Sequence, residues 1–101
     1  MSSSPSPDPA LLPFLSELLH KNFQTETREQ APYQWLWENL KIKLEELINH
    51  DMERLVQLMY RIDVEESDFH RAMGEPQPAE ALAHVVMKRF LRKALLRKRF
   101  S

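Results

Sequence analysis

Cysteine is absent from this 101-residue chain, and glycine occurs only once, at Gly74. Without cysteine there is no disulfide scaffold, no thiolate zinc site and no cysteine nucleophile. A single glycine argues against an all-β fold, which needs turn residues at short intervals, and it excludes a glycine-rich phosphate loop. The sequence also lacks an apolar run of about 18 residues and a basic, then apolar, leader, so we expect a cytoplasmic protein without a membrane span.

Acidic residues are missing from the segment 88–101, which carries seven of the 14 Lys and Arg residues. Residues 1–87 carry the other seven together with all 15 Asp and Glu residues. The formal charge is therefore −8 for the first segment and +7 for the second, although the whole chain has a net charge of only −1. A block of one sign predicts an electrostatic role for the C-terminal segment.

Apolar residues recur at helical spacing in several segments, which predicts an all-α fold, a small bundle of four to five helices. The apolar content of 43% suffices for a core, and the length is that of one domain. Residues 1–8 are rich in Ser and Pro and are expected to form a flexible tail. Residues 9–100 are expected to form a single helical-bundle domain.

The first firm helix is predicted to begin near Pro13 and to end near residues 21–22, followed by a loop. Pro32 is expected to be the first residue of a second helix that runs to residue 49. A corner is expected at residues 49–51, because Asn and Asp favour helix caps, with one long helix as the alternative. The last helix is expected to open at Pro78.

The segment 50–64 has the widest apolar face, covering more than half of a helix circumference. This width predicts the central helix of the bundle, packed on more than one side. Asp63 is then expected to cap a short helix that has Glu66 at its third position. Gly74 is expected to end this short helix in a left-handed conformation.

No arrangement of side chains predicts catalysis. The four histidines contain no pair at a spacing of three or four, so we expect no metal site. The carboxylates fall mainly on polar positions of amphipathic helices, and the serines lie mainly in the N-terminal tail. An acid–base pair or a supported nucleophile therefore has no visible pocket. We predict a protein that is not an enzyme and that uses no cofactor.

Two short features are candidate contact sites. Tyr60, Arg61 and Asp63 lie at the end of the predicted central helix. The structural interpretation is that Arg61 and Asp63 tie the corner between two helices, and the functional one is that all three form a ligand or partner surface. The tryptophans Trp35 and Trp37 form the second feature. We expect Trp37 on the core face, and Trp35 either against a neighbouring element or partly exposed as a contact residue.

The run HDMERLVQLMYRIDV, followed later by the Pro-Ala pair at 78–79, resembles a group of small uncharacterised all-helical bacterial proteins. The resemblance covers roughly residues 35–100. The residues that carry it are Leu55, Leu58, Tyr60, Arg61, Ile62, Asp63 and Val64. The group has a small polar residue after the valine, whereas this chain has Glu65. The resemblance implies a helical fold and brings no activity or site with it.

The C-terminal run KRFLRKALLRKRF is the strongest functional lead, because cations and apolar residues alternate along about three and a half helical turns. The cations are Lys88, Arg89, Arg92, Lys93, Arg97, Lys98 and Arg99. Three interpretations are open. The helix contacts phosphates of a nucleic acid, it lies on an anionic membrane surface, or it packs on the acidic body or on a second copy. The acidic remainder of the chain favours the last, because it repels nucleic acid and membrane alike.

The function predicted from these observations is a non-catalytic protein-interaction or self-association module. Its partner would be another protein or a second copy in a homodimer. The alternative is an accessory nucleic-acid-binding protein that uses the basic helix 88–100, and a membrane is the least favoured partner. A basic ridge free of acidic neighbours would favour nucleic acid, and a large exposed apolar patch would favour a protein interface.

Overall fold

The computed structural model describes residues 8–26 and 31–100. Within these residues the chain forms five α-helices and no strand, so the predicted all-α bundle is confirmed. A 3-10 turn at Pro9–Leu11 precedes the first helix. The predicted flexible tail falls, except for Asp8, outside the described residues. The helices are α1 (Leu12–Phe23), α2 (Tyr33–His50), α3 (Met52–Arg61), α4 (Glu66–Met73) and α5 (Pro78–Phe100).

The predicted corner between α2 and α3 is confirmed at a single residue. Asp51 has φ −154° and ψ 70°, which is not helical. Its side chain accepts a hydrogen bond of 3.1 Å from the backbone N–H of Arg54 and so caps α3. At the start of α2, by contrast, Pro32 is the extended residue before the helix and not its first helical residue.

The core lies where α1, α2 and α5 meet. Helix α5 contributes a stripe of six buried residues spaced three, four or one apart: Ala79, Ala83, Val86, Met87, Phe90 and Ala94. Phe90 packs edge-on against Phe23 of α1, with ring centroids 6.1 Å apart. On α2 the buried stripe includes Leu36, which the sequence analysis missed, whereas the predicted stripe residue Trp37 is half-buried and contacts His84 edge-on.

The central helix of the bundle is α5 and not α3, so that prediction was wrong. Helix α5 packs against α1, α2, α4 and the 3-10 turn, while α3 packs chiefly against α2. Small residues at Ala79, Ala83 and Ala94 let neighbouring backbones approach α5 closely. Of the apolar residues on α3, Met52 and Val56 are exposed. The wide apolar face of α3 therefore reflects exposed surface and not packing on two sides.

Asp63 ends α3 and does not cap α4, which corrects a second prediction. It has a left-handed backbone with φ 63°. The N–H of Val64 donates to the carbonyl of Met59 at 3.0 Å, and the N–H of Asp63 donates to the carbonyl of Tyr60 at 3.2 Å. These two bonds form a Schellman motif, with aspartate in the place usually taken by glycine. The residue before α4 is the extended Glu65, whose side chain makes no capping bond.

Gly74 ends α4 without a left-handed backbone, which corrects a third prediction. Its φ is −86° and its ψ −5°, and its N–H donates to the carbonyls of His70 and Arg71, both at 3.2 Å. The last turn thus tightens toward 3-10 geometry. The helix stops because Pro76 and Pro78 follow, and proline cannot supply the N–H that a longer helix would need.

Candidate interaction surface

Three of the seven cations of α5 are bound to the rest of the chain. Arg89 donates from Nε to the carbonyl of Ile62 at 3.2 Å, and its guanidinium lies 3.5 Å from Asp63 Oδ2. Further along, Arg97 and Lys98 reach carboxylates near the start of the domain. These two contacts are Arg97 to Glu17 at 3.2 Å and Lys98 to Asp8 at 2.8 Å.

The contact between Lys98 and Asp8 also affects ionisation. The hydrogen bond from the Lys98 ammonium, helped by one from the backbone N–H of Ala10, lowers the pKa of the Asp8 carboxyl from its ordinary value. Arg97 in addition lies over the ring of Phe14, with its guanidinium carbon 5.4 Å from the ring centroid. The end of α5 is thereby held against the 3-10 turn and α1.

The other four cations form no ion pair with a described residue. They are Lys88, Arg92, Lys93 and Arg99, of which Lys93 is half-buried and the others are exposed. Lys88 and Arg92 line an open groove of about 470 Å³ between α4 and α5. The same groove is lined by three carboxylates, Asp63, Glu65 and Asp68. The basic ridge is therefore not free of acidic neighbours along its first two turns.

Core packing by α5 ends at Ala94, although the helix continues for six more residues. We call residues 92–100 the α5 tip. The large apolar side chains of the tip are exposed, Leu95 to 56%, Leu96 to 48% and Phe100 to 82%. At 3.6 residues per turn these three share one side of the helix with Arg92 and Arg99, opposite the residues that face α1. The tip thus presents an apolar surface flanked by cations.

The structural interpretation of Tyr60, Arg61 and Asp63 holds for Asp63 and not for Arg61. The corner is tied by Asp63 and Arg89 of α5, while Arg61 is exposed. Tyr60 is 72% exposed and faces a different depression from the one that Asp63 lines.

That depression is an apolar groove of about 160 Å³ between α3 and α4. We call it the α3–α4 groove. The residues that line it are Val56, Met59, Tyr60, Val64, Glu66, Phe69 and His70. Met52 extends the exposed apolar row of α3, because Met52, Val56 and Tyr60 follow one another at four-residue steps. The wide apolar face of α3 was the sequence signal for this groove. The sequence analysis interpreted that face as packing on more than one side.

Trp35 is half-buried and packs against the core from α2. Its carbonyl accepts a hydrogen bond of 2.7 Å from the side chain of Asn39. Because Trp35 lies on α2, it belongs neither to the α5 tip nor to the α3–α4 groove. The exposed apolar residue nearest to it in sequence is Ile42, which is 56% exposed.

Ionisable groups make no metal centre within residues 8–26 and 31–100, where no cluster of three or more His, Cys, Asp or Glu side chains could hold an ion. Glu66 and His70, which share a face of α4, are 3.6 Å apart and fully on the surface. No helix in the described part of the chain is long and apolar enough to cross a membrane.

The two surfaces defined by this geometry are the α5 tip, apolar and cationic, and the α3–α4 groove, apolar with acidic residues around it. No family model, curated protein or solved structure matches the chain.

Proposed function

We propose that this chain is a non-catalytic protein-interaction module that contacts its partner through the α5 tip. The single observation that supports the proposal is the exposure of Leu95, Leu96 and Phe100 on one side of a helix that ion pairs hold against the body. Burying one such side chain contributes roughly 1.5–3 kcal/mol. A partner that covers all three therefore gains a substantial part of its binding free energy there.

A nucleic-acid partner is the less favoured alternative. The four unpaired cations would attract phosphates, and binding of that kind would fall steeply with salt. However, the carboxylates of Asp63, Glu65 and Asp68 line the same groove as Lys88 and Arg92, and they oppose a phosphate backbone. A protein partner, which offers both signs of charge together with apolar surface, fits this mixed surface better.

Catalysis and cofactor binding are not part of the proposal. Among the described residues no carboxylate or histidine is buried, and Tyr60 and Asp63 line different grooves. A cytoplasmic location stays a prediction, favoured by the cysteine-free composition. The relationship to the small helical bacterial proteins with a YRIDV-type segment also stays a prediction.

Photo-crosslinking in the producing cell tests the proposal. Phe100 is replaced by a photoreactive phenylalanine derivative, and a matched control carries the same group at Ile42, an exposed apolar position on α2. We expect a discrete protein adduct from position 100 that is lost when Leu95 and Leu96 are both changed to Ser. Adducts with nucleic acid alone, or equal adducts from positions 100 and 42, would overturn the proposal.

A further inference from the structure

We infer that the partner of the α5 tip is a second copy of this chain, whose α3–α4 groove receives Phe100. This inference rests on the proposed function, because it names the occupant of a contact surface already assigned. Three independent observations support it: the charges of the two surfaces, the volume of the groove, and the distance between Phe100 and the groove of its own copy.

Charge is complementary between the two surfaces. Residues 92–100 contain five Lys or Arg and no acid. The loop and first turn that border the groove, residues 63–68, contain four acids and no Lys or Arg. Ion pairs within the chain use part of this charge, at Arg97 and Lys98 on the tip and at Asp63 and Asp68 near the groove. These surface pairs are weakly held. Lys88, Arg89 and Arg92 also lie beside these acids in their own copy, but residues 63–68 and 92–100 keep opposite net charges.

Size matches between the ring and the groove. The groove measures about 160 Å³ and is lined mainly by apolar side chains, and an apolar cavity of about 150 Å³ admits a benzene ring. Phe100 is the most exposed of the large apolar side chains, at 82%. Its ring can therefore enter the groove between Val56 and Phe69, with Tyr60 at the rim.

The position of Phe100 along α5 keeps it out of the groove of its own copy. Arg89 is the residue of α5 that contacts the corner between α3 and α4, through Ile62 and Asp63. Phe100 lies 11 residues further along a continuous helix, which places it about 16 Å beyond that contact. Over that distance Arg97 holds the helix on α1 and Lys98 holds it on Asp8 at the 3-10 turn. Phe100 can therefore enter the α3–α4 groove only of a second copy.

The proposed contact joins two different surfaces, the tip of one copy and the groove of another, so two kinds of assembly are possible. If each tip of a pair enters the groove of the other copy, a closed dimer forms that contains the contact twice. If the tip and groove of a copy bind two different neighbours, longer oligomers form. A stable interface buries at least about 1,200 Å² in total, which one tip alone does not supply. The reciprocal dimer is therefore the expected form.

Sedimentation velocity of the full chain over a concentration series tests the inference. The tip variant is Phe100→Ser, the groove variant is Tyr60→Ser, and the matched control is Ile42→Ser, with circular dichroism to verify that each remains folded. We expect the unmodified chain and the control to associate alike, and more weakly at higher salt. Because the reciprocal dimer contains the contact twice, the tip and groove variants should each lower the association constant about a hundredfold or more.

Mixing the two variants gives the sharper result. The Tyr60→Ser copy keeps an intact tip and the Phe100→Ser copy an intact groove. In the mixed dimer one contact is therefore intact and the other carries both substitutions, so an equimolar mixture should associate more tightly than either variant alone and less tightly than the unmodified chain. A contact between two tips would not be restored by mixing, and that outcome would overturn the inference.

Failure of the inference is distinguishable from failure of the proposed function. If the tip variant weakens association but the groove variant does not, the tip remains a contact surface and the groove is not its partner. If the purified chain is monomeric throughout while position 100 crosslinks to a different protein, the second copy is again excluded and the proposed function stands. Association that neither variant changes would contradict the inference, and the crosslinks from position 100 would then decide the proposed function alone.

Discussion

Gly74 ends α4, but its backbone is not in the left-handed conformation that a glycine at a helix end often adopts. Its φ of −86° is open to any residue, and a Cβ placed there would meet only the carbonyl oxygens of Arg71 and His70, at 3.6 and 3.7 Å. Gly74→Ala is therefore expected to stabilise the fold by about 0.4–1 kcal/mol, because alanine restricts the unfolded chain. Urea unfolding measures this change. A destabilised variant would mean that Gly74 uses a conformation closed to alanine.

Asp8 and Lys98 give a second prediction at the level of single residues. Because the hydrogen bond from Lys98 lowers the pKa of Asp8 in the folded chain, the stability from this contact is present at neutral pH. It is lost as the pH falls through the lowered pKa. In Lys98→Gln, an NMR titration should show the pKa of Asp8 moving up toward its ordinary value. Titration of Asp8 at the same pH in both proteins would contradict the contact.

For the helices, the prediction concerns Asp63, the left-handed residue at which α3 ends. In a left-handed position glycine has no Cβ to strain, aspartate is tolerated, and a β-branched residue costs about 1–2 kcal/mol. We expect Asp63→Gly to be at least as stable as the natural chain, because the lost pair with Arg89 involves an exposed carboxylate. Asp63→Val should be clearly less stable.

Thermal unfolding of these two variants alongside the natural chain gives the order of stability. A valine variant as stable as the natural chain would show that residue 63 is not left-handed. A large loss in the glycine variant would show instead that the ion pair, and not the backbone, stabilises this corner.

Helical periodicity predicted the elements well because it depends on neighbours three and four residues apart. The buried stripe of α5 and the corner at Asp51 both follow from such local patterns. Asp63 was assigned to the start of α4 because its spacing to Glu66 fits a capping box. In the structure it lies in the short turn between the two helices and adopts the left-handed backbone that ends α3. The choice between the two roles depends on how the helices pack, which spacing does not show.

The exposed surfaces were harder to predict than the core. Met52 and Val56 have the same spacing as the buried residues of α3, and only the packing of the described helices shows that these two side chains are exposed. The seven cations of α5 stay a predicted binding set, and their sequence does not reveal that Arg89, Arg97 and Lys98 form ion pairs within the chain. Trp35 is half-buried against the core, and its role as a contact residue stays a prediction.

For the whole molecule, chains shortened within α5 test which part of this helix the fold requires. A chain that ends at Met87 lacks Phe90 and Ala94, which are buried in the core. Removing a buried phenylalanine costs about 3–5 kcal/mol, a large share of the 5–15 kcal/mol that stabilises a typical domain. We expect this chain to be unfolded by circular dichroism, whereas one that ends at Ala94 stays helical and cooperative. A folded chain ending at Met87 would contradict the central position of α5.

The chain that ends at Ala94 also separates the two roles of α5 in solution. It keeps the core and loses Leu95, Leu96 and Phe100, so it should be folded and monomeric. That result would show that the first part of α5 is the central structural element and that residues 95–100 are the proposed contact surface. In the proposed dimer, each copy provides both the basic tip and the acidic surroundings of the groove.

The most direct test of this account is the amide NMR spectrum of the unmodified full chain, recorded as its concentration is raised. The account predicts progressive shifts at residues 92–100 and around Val56, Tyr60 and Phe69, with the amide of Ile42 unchanged. Shifts centred on other surfaces, or a spectrum that does not change with concentration, would contradict the contact between tip and groove.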